Sequence, residues 1–115
     1  PAASERIPQP LALPHGRVTF RRAAGEGIAQ ARRTARALRV RPRIGGERLE
    51  LAGRPRRALS AILQEAGLPP WERRALPLVH CGEALAAVPG IGVDAAFAAT
   101  AGEPGIAVSW HPAVV

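Results

Sequence analysis

The chain has 115 residues, 47% hydrophobic and 22% charged, which is enough for one modest core, too short for a large two-domain enzyme and far from the composition of a disordered chain. Sixteen basic residues, all arginine, against nine acids leave a net charge of +7, and such a bias on so small a domain points to an anionic partner, nucleic acid before membrane. No apolar run approaches the roughly 20 residues that cross a bilayer and no secretory leader is visible, so a cytoplasmic location is expected, while the single cysteine, Cys81, excludes an internal disulfide and a Cys-rich metal site.

Residues 1–16 carry Pro8, Pro10 and Pro14, a spacing that prevents a helix and predicts an extended linker. Next, Val18 and Phe20 alternate with Arg17, Thr19 and Arg21 in the pattern of a half-buried strand. After a glycine loop at 25–27, residues 28–38 are rich in helix formers, yet they lack a cap and their apolar positions are mostly alanine. A short helix and an irregular crossover both stay open there. Residues 38–44 alternate again, with Leu38, Val40, Pro42 and Ile44 expected inward and Arg39, Arg41 and Arg43 outward at a spacing of roughly 6.6–6.8 Å. Pro42 has no amide hydrogen to donate and argues for an edge strand. Arginines on such an edge either discourage aggregation or form a stripe for phosphates.

Gly45-Gly46 predicts a tight hairpin turn, and residues 48–51 resume the alternation with Leu49 and Leu51 inward. A loop at Ala52-Gly53 leads to Arg54 and to Pro55, which suits the first position of a helix. Leu59, Ile62, Leu63 and Ala66 then recur as one apolar stripe, and Gly67 ends the helix. Arg56 and Arg57 fall in its first turn, where a cation faces the positive end of the macrodipole at a cost of about a few tenths of a kcal/mol. A bound phosphate would reverse that sign, so replacing both by glutamine is expected to weaken RNA binding and leave folding nearly intact. Arg57, Ser60 and Gln64 are expected on the helix face opposite the apolar stripe. Pro69-Pro70-Trp71 reads as a rigid corner into a short helical turn over 71–76, with Trp71 in the core and Arg73 and Arg74 on the basic surface. Beyond Pro77 the pattern is a meander, with strands in 76–80, 84–88, 92–99 and 106–110.

No independent active site is legible. His80 and Cys81 are adjacent on a strand and point to opposite faces, which argues against a nucleophile and base pair. His15, His80 and His111 lack metal-ligand spacing. Gly90-Ile91-Gly92 is too short for a dinucleotide fingerprint, no phosphate loop ending in Lys-Ser/Thr is present, and Glu47, Glu50, Glu65, Glu72 and Glu83 are scattered.

The order Val40-Arg41-Pro42-Arg43, Gly45-Gly46-Glu47-Arg48, then residues 63–71 reading LQEAGLPPW, Arg74, Leu76-Pro77-Leu78 and Pro89-Gly90-Ile91-Gly92-Val93 resembles the C-terminal domain of bacterial tRNA(Ile)-lysidine synthase. The similarity spans about residues 36–112, with residues 1–35 as a less regular lead-in from a preceding domain. It implies an α+β fold of antiparallel strands packed with two short helices. It also implies a parent ligase that uses ATP and Mg to activate the wobble cytidine of an isoleucine tRNA and joins lysine to it. The family's nucleotide-binding motif, of the SGGxDS kind, belongs to a separate N-terminal domain and is missing from this sequence, so the resemblance implies a non-catalytic chain with no cofactor of its own. Its implied partners are tRNA(Ile), chiefly the acceptor stem, and the N-terminal catalytic domain, with a homodimer open.

Carried over position by position, the tRNA-binding surface is Arg41, Arg43, Arg48, Arg54, Arg57, Gln64 and Arg74, and the expected helix start adds Arg56. The family commonly has lysine where this chain has Ser60, and often at Ala61, which shifts weight to the arginines at the helix start. A stem is read mainly through shape, phosphates and 2′-hydroxyls, and an aromatic content of 3% argues against base stacking as the main mode. The alternative is a structural or dimerisation module that does not bind RNA.

Overall fold

The structure is a computed structural model that describes residues 7–32 and 38–113. In chain order these form β1 (Leu11–Leu13), β2 (Gly16–Ala24), β3 (Ile28–Ala29), a 3-10 turn (Gln30–Arg32), β4 (Leu38–Arg41), β5 (Arg48–Leu49) and β6 (Arg57–Ala58). Helices α1 (Leu59–Glu65) and α2 (Pro70–Ala75) come next, then β7 (Leu78–Cys81), β8 (Ala84–Val88), β9 (Gly92–Val93) and β10 (Pro104–Pro112). The strands pair antiparallel in sheets ordered β1-β2-β10-β3, β4-β7-β8-β9 and β5-β6. The expected antiparallel α+β architecture is what forms.

Alternation decides how the layers stack. On the β4–β7 ladder, Val40 lies opposite Val79 and Leu38 opposite Cys81. Those side chains point to the face packed on Ile28, Phe97 and Val108, which ties the first sheet to the second. Leu78 points the other way, into a cluster with Leu49, Leu59, Leu63, Leu76 and Val88 under α1. Each fully buried leucine there contributes about 1.5–3 kcal/mol relative to an exposed one.

Residues 11–13, read as linker, instead form β1 and turn through Pro14-His15 onto β2. The nine residues of β2 pair along their whole length with β10, so chain positions near both ends share one sheet. Glycine is required where β10 passes Gly27: its φ is +79°, and a Cβ there would lie 2.2 Å from the Ile106 carbonyl oxygen. The expected helix or crossover at 28–38 begins as β3 and a 3-10 turn, and residues 33–37 lie outside the described residues.

Helix α1 starts four residues later than Pro55 suggests. Arg57 and Ala58 are extended and pair with Leu49 and Arg48, and the Leu59 amide donates to the Glu47 carbonyl at 2.9 Å. Ladder pairing wins here over a proline that only permits a helix. The stop is as read: the Gly67 amide donates to the Gln64 carbonyl at 3.1 Å and Leu68 to Leu63 at 3.3 Å, with Gly67 at φ +78°. Pro70 opens α2 at its first turn.

Other expectations fail. Trp71 is 67% exposed, so it is not a core residue; Trp110 packs against the α1 cluster instead. Ile44 is 89% exposed and Pro42 is also exposed, because β4 ends at Arg41 and the pleat no longer governs the residues after it. Gly45 and Gly46 do take positive φ, yet they connect β4 to β5, which belong to different sheets, and do not close a hairpin between them. The strand expected over 92–99 ends at Val93 in a turn built by Asp94.

Candidate nucleic-acid interface

The arginines divide by what they already hold. Arg56 reaches Glu50 at 3.6 Å and Asp94 at 3.8 Å, and Arg57 is ion-paired with Glu65. Neither sits in a helix first turn, because α1 begins at Leu59, so the macrodipole argument for a phosphate there does not apply to them. Arg41 pairs with Glu83 at 3.6 Å, and Arg48 donates to the Arg56 carbonyl at 3.3 Å. Arg73 donates through Nε to the Leu68 carbonyl at 2.6 Å, bracing the corner between the helices. Arg43 is half-buried, and its buried Nε has no partner among the described residues.

Arg39, Arg54 and Arg74 are exposed and make no side-chain hydrogen bond or ion pair among the described residues. Their charge is available to a ligand. Gln64 is exposed on α1. The structure brings some of the site residues together in three places and leaves Arg39 and Gln64 outside the two clefts among them. Arg41 and Arg74 line one cleft of about 340 Å³ between β4, α2 and the Pro14-His15 turn, whose walls include Leu13, Leu76 and Pro77. Arg54 and Arg57 line another, with Leu51, Ile62 and Glu65. Arg48 and Arg56 are brought together by the β5–β6 pair.

Two carboxylates shape this surface: Glu47, read in the sequence only as a motif position and a scattered acid, and Asp94, which the sequence did not single out. Glu47 accepts from the Ile44 amide at 2.8 Å and the Gly45 amide at 3.1 Å, fixing the glycine turn beside Arg43. Burial pushes its carboxyl up, but those amides and Arg43 outweigh burial and hold it below the usual value. Asp94 is 3% exposed; it accepts from the Glu50 amide at 3.1 Å and the Ala96 amide at 3.0 Å and anchors Arg56. An acid alone in the apolar run 91–99 is the sequence signal for such a turn, since aspartate readily binds the backbone two residues on.

His80 lies across from Arg39 on β7, and its Nδ1 is buried without a partner among the described residues. Burial, then the Arg41 charge, lowers its pKa from the ordinary 6.5, against the opposing pull of the Leu78 backbone and then of Glu47 and Glu83. A base whose folded pKa is depressed takes up its proton more readily when unfolded. Stability is therefore expected to fall as pH drops below about 6.5 and to be level above it, and His80→Gln should flatten that slope in urea midpoints measured at about pH 7.5 and 5.5.

Residues 38–110 match the model of the family described as the TilS substrate C-terminal domain. The chain belongs to the TilS substrate C-terminal domain family. Among relatives of this TilS domain, the tRNA(Ile)-lysidine synthase of Nitrosomonas europaea is 44% identical over 101 residues, covering 87% of this chain and 22% of that protein. That of Ralstonia nicotianae is 42% identical over 115 residues, covering 99% of this chain and 24% of that protein. The chain thus spans under a quarter of the length of these curated relatives. A solved structure titled "Crystal structure of TILS C-terminal domain" superposes with a TM-score of 0.74 at 25% identity, covering 97% of this chain and 96% of that one. The TilS-type fold therefore includes β1 to β3, which lie before the matched residues.

Proposed function

We propose that the chain is the tRNA-holding C-terminal module of a cytoplasmic tRNA(Ile)-lysidine synthase and that it grips the acceptor stem. In this reading the parent is an ATP-dependent ligase that joins lysine to the wobble cytidine, and ATP and Mg are handled by a separate N-terminal domain. Among the described residues no group of three or more His, Cys, Asp and Glu is placed to hold a metal ion, and no helix is long and apolar enough to cross a membrane.

The observation that carries the reading is an excess of exposed arginines left without an acidic ion-pair partner among the described residues, Arg17, Arg22, Arg32, Arg39, Arg48, Arg54 and Arg74, on a chain of net charge +7. Of these, Arg39, Arg54 and Arg74 lie within the residues the family model matches and make no side-chain hydrogen bond either. Guanidinium groups free of internal ion pairs suit the phosphates and 2′-hydroxyls of an A-form stem, whose deep groove hides its base edges. Arg41, Arg43 and Arg48 extend that surface through partial or neutral contacts, whereas Arg56 and Arg57 serve mainly to position it. A non-RNA-binding dimerisation module is the second reading, favoured by Ile44, whose apolar side chain is 89% exposed.

The test is binding to two fragments of one tRNA(Ile) transcript, an acceptor-stem minihelix and the anticodon arm. The minihelix is expected to bind at least about tenfold tighter, as a geometrically matched set of phosphate contacts would give. Equal affinity for both would remove the acceptor-stem assignment, and binding of neither would favour the dimerisation module.

A further inference from the structure

Trp71 is a large aromatic residue that the fold leaves in water. Its indole is 67% exposed on α2 in a chain with only four aromatic residues other than histidine, whereas Trp110 is spent on packing. Helix geometry places positions three and four residues on beside it. Those are Arg74 and Ala75, and both line the cleft that also holds Arg41 and His15. Trp71 therefore stands on the helix face that borders that cleft.

The cleft's chemistry is one-sided. Leu13, Leu76 and Pro77 supply flat apolar walls, Arg41, Arg74 and His15 supply donors, and no carboxylate lines it. Glu83 approaches Arg41 from outside at 3.6 Å and is itself 85% exposed, so it is free to yield to a stronger anion. Arg74 has no ion pair among the described residues. An aromatic plate next to one unpaired guanidinium, Arg74, and a second, Arg41, held only by an exposed carboxylate, is what an unpaired nucleotide requires: a π-face for the base and cations for the phosphates on either side. A protein partner of ordinary composition would need acidic groups placed for two arginines, and nothing in the cleft's walls selects for that over phosphate.

We propose that Trp71 is a stacking platform for an unpaired nucleotide adjoining the duplex that the arginine surface holds, with Arg74 and Arg41 receiving its phosphates. This rests on the RNA-binding reading above and adds to it: the arginines bind a double-stranded stem, and Trp71 reads where that stem ends. Stacking is then a local addition to a grip made mostly through phosphates, consistent with so few aromatic residues.

The experiment compares the 115-residue chain on the acceptor-stem minihelix with and without its unpaired 3′ nucleotides. The overhang form is expected to bind about tenfold tighter than the blunt form. Trp71→Ala should abolish that preference and leave blunt-duplex affinity unchanged, Trp71→Phe should keep most of it, and the overhang should quench a fluorescence component absent from the Phe variant. An overhang preference that survives Trp71→Ala, or no preference at all, overturns the platform while leaving the stem-binding reading standing. Failure to bind either RNA sinks both. Should Trp71→Ala instead dissolve a self-associated form in sedimentation without changing RNA preference, Trp71 is a contact between copies and the proposal is wrong.

Discussion

Replacing Asp94 by alanine is expected to destabilise the domain by about 3 kcal/mol, more than any other polar substitution named above. The carboxylate lies 3% exposed between two segments that are far apart in sequence, accepting from the Glu50 amide on one and the Ala96 amide on the other. Truncation leaves both amides without an acceptor where water enters poorly, and an unsatisfied buried group costs roughly 1–3 kcal/mol. It also releases Arg56, which reaches Asp94 at 3.8 Å. For a domain of this size the loss corresponds to a fall in melting temperature of roughly 10–15 °C. Asp94→Asn retains an oxygen for one amide and should fall between the two. Circular dichroism melts of the three proteins check this, and a change under about 1 kcal/mol for the alanine variant would mean the turn finds other acceptors.

The second large effect concerns binding. Converting Arg39, Arg54 and Arg74 together to glutamine is expected to weaken tRNA affinity on the order of 100-fold at low salt and to leave the melting temperature within a few degrees of wild type. Charges that the fold uses differ here from charges it leaves over. Each of the three is exposed and unpaired among the described residues, so its loss breaks nothing internal, whereas a charge-assisted contact to phosphate is worth about 1–2 kcal/mol. The contrasting pair is Arg56 and Arg57, whose guanidiniums hold Glu50, Asp94 and Glu65. Replacing those two should lower stability more and RNA affinity less. Fluorescence anisotropy with labelled tRNA, together with melts of both variants, reads the two quantities separately.

That contrast also marks how far the sequence can be read. Local signals with one physical outcome come through: Gly67 as a helix stop, Pro70 at a helix start, the alternation that turns Val40 and Leu49 inward, Pro42 beyond an edge strand. What fails depends on partners distant in the chain. Pro55 permits a helix, yet residues 57 and 58 join a ladder with 48 and 49, and no local pattern announces that pairing. The lead-in becomes a sheet only because β10, about ninety residues away, lies beside β2. Trp71 reads as core because large aromatics usually are, and only its position on a short exposed helix reverses that.

The candidate site is legible as a composition and as a family resemblance, less so as a set of contacts. Arg54 and Arg74 stand exposed and unpaired among the described residues, as a binding surface requires. Arg56 and Arg57 attract attention through a helix dipole that does not reach them, since α1 begins at Leu59. Asp94, the residue that keeps Arg56 occupied, reads in the sequence as one polar position of an expected strand, because the amide it accepts from Glu50 lies far away in the chain.

The measurement that bears most directly on the function is the salt dependence of tRNA binding by the wild-type chain and by the Arg39, Arg54 and Arg74 triple glutamine variant. If these arginines neutralise phosphates, the logarithm of the association constant falls linearly with the logarithm of salt concentration at a slope of about −3 or steeper, and the variant's slope is shallower by about three. A wild-type affinity insensitive to salt, or an identical slope in the variant, would contradict the claim that this arginine surface holds RNA.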